Sequence, residues 1–286
     1  MATQSKITYD PTARYEVEQI EVVIWEDDRI SLPATVFKPK ADGPFPALIR
    51  THGGAWNIGD RQGKARVDHG LAECGMVVVA MEHRRAPDYP YPAQVMDTNY
   101  AVRWLKLHAA EYAIDPDHVG GAGDSSGGHT MLLNALFPND PTYGSISLEG
   151  GAGLDGSVDY VIAMWTVLDP YTRYWYAMDH GREDIVEHTD NYFADTGQMK
   201  LANPQMVIER GEQQAMPPVI IIQGDSDDNI PNYLPLMFVD TYQAAGGDIR
   251  LEWFPGMPHS FAANEGAESD RALEIMRRFV ADQYSG

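Results

Sequence analysis

DPDHVGGAGDSSGGHTMLLNAL, residues 115–136, opens on a turn-forming Asp-Pro-Asp, runs through the short strand-like segment HVGGAG, bends at a serine and continues as an apolar helix. Gly123-Asp124-Ser125-Ser126-Gly127 fits the pattern G-x-S-x-G. A serine on a sharp strand-to-helix turn is held in strained backbone geometry, and glycines two residues before and after it remove Cβ clashes. The following helix directs its free N–H groups and the positive end of its dipole at the serine, which favours developing negative charge. The bland alternative is a Gly/Ser loop joining a strand to a helix. Ser126 is the competing nucleophile, but the same frame around it would need glycine at 124, and the chain has Asp there. Ser125 is the expected nucleophile.

On either side of this turn, strand-like and helix-like segments alternate, the pattern of a mostly parallel sheet flanked by helices. QIEVVIW (19–25) and LPATVFKP (32–39) read as an opening antiparallel pair, and PALIRTHGG (46–54) as an apolar strand ending in glycines. MVVVAMEH (76–83) has the composition of a strand buried on both faces. PAQVMDTNYAVRWLKLHAAEY (92–112) reads as a helix with its proline in the first turn. VDYVIAMW (158–165), PPVIIIQG (217–224) and IRLEWFPG (249–256) supply three more strands, and ESDRALEIMRRFVAD closes the chain as a helix.

Residues 166–216 break the alternation. They hold no clear strand but carry Tyr171, Tyr174, Trp175, Tyr176, Tyr192 and Phe193. A gap that long between strands is expected to have helices of its own and to form a lid or pocket wall. No repeat, low-complexity segment or linker divides the chain, so a single domain over 1–286 is expected, with a cap at about 166–216.

Composition narrows the function classes. The chain has 286 residues, 44% of them apolar and 22% charged, as in a soluble globular protein. Its 42 acidic residues against 21 basic ones give a formal net charge of −21, a surface that repels nucleic-acid phosphates and anionic lipid. No apolar run reaches the ~18–20 residues that span a bilayer. MATQSKITYD shows no basic-then-apolar leader, and a cytoplasmic location is the expectation. Cys74 is the single cysteine, which rules out an intrachain disulfide or a thiolate cluster and points to a packing role. The histidines lack spacings such as H-E-x-x-H, so neither a metal nor another cofactor is expected.

Acyl transfer also needs donors for the oxyanion, a base and an acid. His52-Gly53-Gly54-Ala55-Trp56 follows the strand PALIRT, and consecutive glycines let backbone N–H groups face a carbonyl without side chains in the way. The amides of Gly53, Gly54 and Ser126, with Ala55 as a further candidate, would form the oxyanion hole. His52 reads as a brace for the loop, and His129 as packing behind the nucleophile. After PPVIIIQG come Asp225, Asp227 and Asp228. Asp227 is favoured as the acid, with the other two open as turn formers or caps. His259, the one histidine after this loop, is the expected base, against the plain reading of a loop histidine beside an apolar patch.

With these residues assembled, the chain resembles the α/β-hydrolases related to hormone-sensitive lipase. It is particularly similar to the bacterial feruloyl/acetyl esterase group, over roughly residues 20–140 and 215–285. The motifs are HGGAW, HRRAPDYPYPAQVMD, AVRWLKLHAAEYAIDPDHVGGAGDSSGGH, GDSDDNIP and GMPHSF. The resemblance implies an α/β-hydrolase fold: a twisted, mostly parallel eight-stranded sheet flanked by helices, with a helical cap insertion. It also implies oxyanion donors at Gly53 and Gly54, nucleophile Ser125, acid Asp227 and base His259. The implied activity is that of a serine carboxylesterase acting on short-chain or aromatic esters through an acyl-enzyme, with no cofactor. HVGGAG departs from the family in being poor in bulky apolar residues, which implies close packing there. Residues 141–216 match no family pattern.

Trp56, Trp165, Tyr171 and Tyr174 are the candidate substrate contacts, although such aromatics serve equally as helix packing. A small-molecule ester is the expected partner, with self-association open through the aromatic insertion. The acidic surface disfavours a strongly anionic substrate, and Arg173 or Arg182 would be the local exceptions. Two competing readings are a formamidase of the same fold, since such enzymes carry similar HGG-x-W loops, and a non-catalytic binding protein.

Overall fold

The computed structural model describes residue 7 and residues 9–284. In chain order the strands are β1 (Val17–Glu26), β2 (Ser31–Pro39), β3 (Phe45–Thr51), β4 (Val77–Met81), β5 (Ile114–Asp124), β6 (Val161–Met164), β7 (Val219–Gly224) and β8 (Ile249–Phe254). They form one eight-stranded sheet in the order β1-β2-β4-β3-β5-β6-β7-β8. β2 pairs antiparallel with β1 and β4, and every other neighbouring pair is parallel. Apart from β5, whose Asp-Pro-Asp and glycines are poor strand formers, each strand falls on a stretch whose composition calls for one. VVVAM in β4 is buried along its whole length, as a β-branched run covered on both faces should be.

The helices are α1 (Ala65–Ala72), α2 (Ala93–Leu107), α3 (Ser126–Leu136), α4 (Pro170–Asp179), α5 (Glu183–Tyr192), α6 (Thr196–Leu201), α7 (Pro204–Arg210), α8 (Tyr233–Ala244) and α9 (Ala267–Tyr284). α1 and α9 bury Val67, Leu71, Met276 and Phe279 in a core on one face of the sheet. α2, α3, α7 and α8 bury Val102, Leu105, Leu132, Val207 and Phe238 in a core on the other. This is the α/β-hydrolase architecture. α4 to α7 fill the gap between β6 and β7, so the stretch 166–216 carries helices of its own, as the length of that gap implied. Among the described residues no helix is long and apolar enough to cross a membrane.

Three local features differ from the sequence pattern. The Asp-Pro-Asp at 115–117 lies within β5 instead of forming a separate turn, and the register against β3 shifts there. Pro92 caps α2 from outside the helix and is not in its first turn. α1 and α8 have no clear sequence signal: α1 is short and polar, and α8 carries Pro235 in its first turn, where a missing N–H costs nothing. The glycines of β5 have a steric cause. A Cβ on Gly120 would lie 2.2 Å from the Tyr160 ring, and one on Gly121 would lie 2.4 Å from Met131 Sδ. Cys74 is buried, and its thiol donates to the Pro11 carbonyl at 3.3 Å.

The strand order positions the site. The chain runs from β3 out to β4 and then returns to β5 on the other side of β3, and crevices form at the C-terminal ends of strands where such a reversal occurs. Thr51 at the end of β3 is in register with Gly123 near the end of β5, so HGG and GDSSG emerge side by side.

Candidate active site

Ser125 links β5 to α3 with φ 51° and ψ −119°, a conformation that is strained for a residue with a Cβ. The glycines around it are required: a Cβ on Gly123 would sit 2.5 Å from the Gly127 carbonyl, and one on Gly127 would sit 2.4 Å from Thr51 O. Thr51 Oγ1 donates to Gly127 O at 2.8 Å and fastens the turn to β3. Ser125 occupies the N-cap position of α3 but makes no capping bond with its side chain. Its Oγ instead lies 3.1 Å from His259 Nε2.

His259 follows β8, and Asp227 follows β7, the neighbouring strand. His259 Nδ1 is 2.8 Å from Asp227 Oδ2. The remaining capacity of the carboxylate is filled by Gln223 Nε2 at 2.9 Å and by the amides of Asn229 and Ile230 at 2.8 and 2.9 Å. Burial works to raise the Asp227 pKa, but the hydrogen bond and charge of His259 and these amides outweigh it, and the carboxyl sits below its ordinary value. The other two acids are elsewhere. Asp225 accepts from Gly256 N at 2.6 Å, and exposed Asp228 pairs with Arg182 at 3.5 Å.

The glycine loop packs directly on the nucleophile turn. A Cβ on Gly53 would lie 3.0 Å from Ser125 Cβ, and Gly54 has φ +125° with Ile58 O only 1.9 Å from where a Cβ would stand. Ala55 and Trp56 also have positive φ, so three consecutive residues of the loop follow a path few side chains favour. Trp56 N donates to Ser126 Oγ at 3.0 Å, tying the loop to the first turn of α3. The first amides of a helix have no partner within it, which leaves the Ser126 N–H available beside those of Gly53 and Gly54.

Two histidines brace this arrangement from behind. His52 Nδ1 lies 2.7 Å from Gly53 O, its Nε2 lies 3.3 Å from Glu82, and its ring stacks on His83 with centroids 4.0 Å apart. Burial alone would raise the Glu82 carboxyl, but bonds from His52 and Arg61 bring it to about 2. His129 sits one turn into α3. Burial lowers its imidazole to about 4, so it is neutral in its packed position.

The candidate aromatic contacts are corrected by the structure. Trp56 is fully buried, stacked on Tyr192 with centroids 4.8 Å apart, and its side chain belongs to a third core beneath the helical insertion. Trp165 is also fully buried, 6.4 Å from the His259 ring in an edge-on arrangement, and supports the base from below. Tyr171 and Tyr174 pack against the third core, Tyr171 under the Lys200 ammonium and Tyr174 against Trp175. None of the four lines the cleft over Ser125.

That cleft has a volume of about 390 Å³, and its floor is Gly53, Gly54, Ser125 and His259. Its walls are Arg173 of α4, one of the two arginines the sequence offered for an anionic group, and residues the sequence did not single out as contacts: Ile58 and Lys64 from the glycine-loop side, Asp184, Ile185 and His188 from α5, and Asn229 from the acid loop. Lys64 Nζ is 3.6 Å from Asp124, which a 3.8 Å approach also links to buried Arg50. The helical insertion therefore forms one wall of the site. Among the described residues, no group of three or more His, Cys, Asp or Glu is placed to hold a metal ion.

Known proteins similar to the chain in sequence or fold include carboxylic ester hydrolases and esterases. The chain is 29% identical over 250 residues to a probable carboxylic ester hydrolase, LipM, of Mycobacterium tuberculosis, covering 85% of this chain and 56% of LipM. It is 30% identical over 244 residues to esterase LipC of the same organism, covering 83% of this chain and 58% of LipC. The chain thus spans a little over half the length of these curated relatives. Among solved structures, propionate-bound esterase 2 of Thermogutta terrifontis superposes with a TM-score of 0.73 at 24% identity, covering 94% of each chain. The form of that esterase phosphonylated by sarin superposes with a TM-score of 0.75 at 22% identity, again over 94% of each chain. At that level of identity the likeness establishes the fold. The BD-FAE family model matches residues 35–239, well over half of the sequence, and the chain belongs to the BD-FAE family.

Proposed function

We propose that the protein is a serine carboxylesterase that hydrolyses short-chain or aromatic carboxylic esters through an acyl-enzyme intermediate. The observation that carries this reading is the unbroken relay Ser125 Oγ–His259 Nε2 at 3.1 Å and His259 Nδ1–Asp227 Oδ2 at 2.8 Å, opening into a cleft floored by glycine amides. The ester-hydrolase names of the relatives support the ester reading over the formamide one.

In this mechanism His259 Nε2 takes the proton of Ser125 as Oγ attacks the ester carbonyl. Asp227 holds the Nδ1–H of His259 and stabilises the imidazolium that forms. The backbone amides of Gly53, Gly54 and Ser126 receive the oxyanion, each worth ~3–4 kcal/mol. Protonated His259 then gives its proton to the departing alcohol oxygen. Water, deprotonated by the same imidazole, attacks the acyl-enzyme and releases the acid. The proposal sets this chemistry in the cytoplasm, on small-molecule esters, with no nucleic acid or membrane taking part.

Hydrolysis of p-nitrophenyl acetate, butyrate and octanoate by the wild type and by Ser125→Ala tests the proposal. Turnover that falls at least ~10³-fold in the variant is expected, with the chain-length profile sizing the acyl site. Equal rates in both proteins would remove Ser125 from the mechanism.

A further inference from the structure

We propose that the ester taken by this cleft carries a free carboxylate, and that Arg173 binds it. The inference rests on the esterase reading and adds a substrate class to it.

Arg173 projects from α4 into the wall of the cleft, yet only 1% of it is exposed. Among the described residues its guanidinium is held by Asn229 alone: Nε donates to Asn229 Oδ1 at 3.0 Å and to Asn229 O at 3.3 Å, and Nη2 donates to Oδ1 at 2.5 Å. Among the described residues, Nη1 makes no hydrogen bond and no carboxylate stands within ion-pair distance. Other buried arginines are paired: Arg50 with Asp68 at 2.5 Å, and Arg277 with Glu73 at 3.0 Å. Arg103 is buried without a carboxylate too, but it rests on the Tyr100 ring and does not line the cleft.

The acidic groups near Arg173 are committed elsewhere. Asp227 is bonded to His259, and Asp184 pairs with Arg182 at 3.1 Å. Burial lowers the Arg173 guanidinium to about 10, opposed chiefly by the charge of Asp227, which is the sign of a cation short of a counter-charge. Such a group is costly in a folded chain unless an anion completes it. A guanidinium offers a planar fork matched to a carboxylate, which makes this anion the natural partner for Nη1. The net charge of −21 repels anions at long range, so the cleft needs a local cation to hold one.

A purely structural role is the rival account, because Asn229 N donates to Asp227 Oδ1 at 2.8 Å and Arg173 could brace the acid loop through it. The two accounts differ in what a substitution does to substrate preference. The test compares kcat/KM for two charged and neutral pairs: 4-acetoxybenzoate with methyl 4-acetoxybenzoate, and monoethyl succinate with ethyl butyrate. The first pair puts the carboxylate on the leaving alcohol, the second on the acyl group. Arg173→Gln is expected to lower the charged-to-neutral ratio at least tenfold in one pair, mainly through KM, and the pair that responds assigns the side. If that variant does not fold, Arg173→Lys replaces it, with a smaller fall in the same ratio. Ratios unchanged in both pairs, with all four rates falling together, would overturn the proposal and leave Arg173 as a brace. Failure of the wild type to hydrolyse any of the four esters would instead sink the esterase reading, and this inference with it.

Discussion

Trp56 Nε1 donates a hydrogen bond to Nδ1 of His129 across 3.2 Å, and through it the glycine loop after β3 is locked to the helix that begins at the nucleophile. The other ring nitrogen of His129 completes the connection, donating to the Ala202 carbonyl at 2.8 Å at the end of α6. One neutral imidazole therefore joins the loop that would hold the oxyanion, the helix behind Ser125 and the insertion that walls the cleft. The Trp56 ring adds a parallel stack on Tyr192 of α5, 3° from coplanar.

Replacing Trp56 by Phe keeps an aromatic ring in this stack but leaves His129 Nδ1 buried without its donor. A loss of about 1–3 kcal/mol is expected, the cost of an unsatisfied buried polar group. Trp56→Ala should cost more, about 3–5 kcal/mol, because it also opens a cavity. Urea unfolding followed by tyrosine and tryptophan fluorescence measures both, and a Phe variant as stable as the wild type would show that the bond contributes nothing.

Gly54→Ala should damage turnover more than folding. Its Cβ would meet Ile58 O at 1.9 Å, in a turn closed by bonds from the Asn57 and Ile58 amides to Gly54 O at 3.0 and 2.9 Å. The loop must then re-route and carry its amides away from Ser125. A fall in kcat of about 10²–10³ is expected, the effect of one lost oxyanion donor. Steady-state kinetics on p-nitrophenyl butyrate checks it, and an unchanged kcat would take the Gly54 amide out of the oxyanion hole.

The aromatic side chains show where sequence pattern stops being informative. The strands were legible because apolar runs, glycine ends and turn residues mark them locally, and Ser125, Asp227 and His259 could be found because each follows a strand end in the order this architecture needs. Which way a side chain points from an irregular element is set by long-range packing. Tyr171 and Tyr174 lie three residues apart and so share a face of α4, but that face covers the third core. Arg173, between them in sequence, points elsewhere and meets the cleft. Trp56 stands in the HGGAW motif and Trp165 just after β6, and both have positive φ, 64° and 38°, with their rings buried away from the cleft. His188 had no motif around it and reaches the wall only through the placement of α5 beside the cleft.

His129 also gives the protein a defined acid response. Its folded-state pKa of about 4 lies below the ordinary 6.5, so between those values the unfolded chain binds the proton that the native state refuses. Stability from this group is whole above about pH 6.5 and is lost as pH falls toward 4, by up to ~1.4 kcal/mol per pH unit. In His129→Gln the amide can still accept from Trp56 and donate to Ala202, but it does not titrate. The slope of unfolding free energy against pH over that window is expected to be shallower in the variant. Identical slopes would mean that His129 takes up its proton without unfolding.

The central claim is that Ser125, activated by His259 and Asp227, is the nucleophile. Labelling the native protein with a fluorophosphonate and locating the adduct by peptide mass spectrometry tests it most directly. The account predicts stoichiometric modification of Ser125, abolished in Ser125→Ala and strongly slowed in His259→Ala. Modification at Ser126 or another residue, or no adduct on a folded protein, would contradict it.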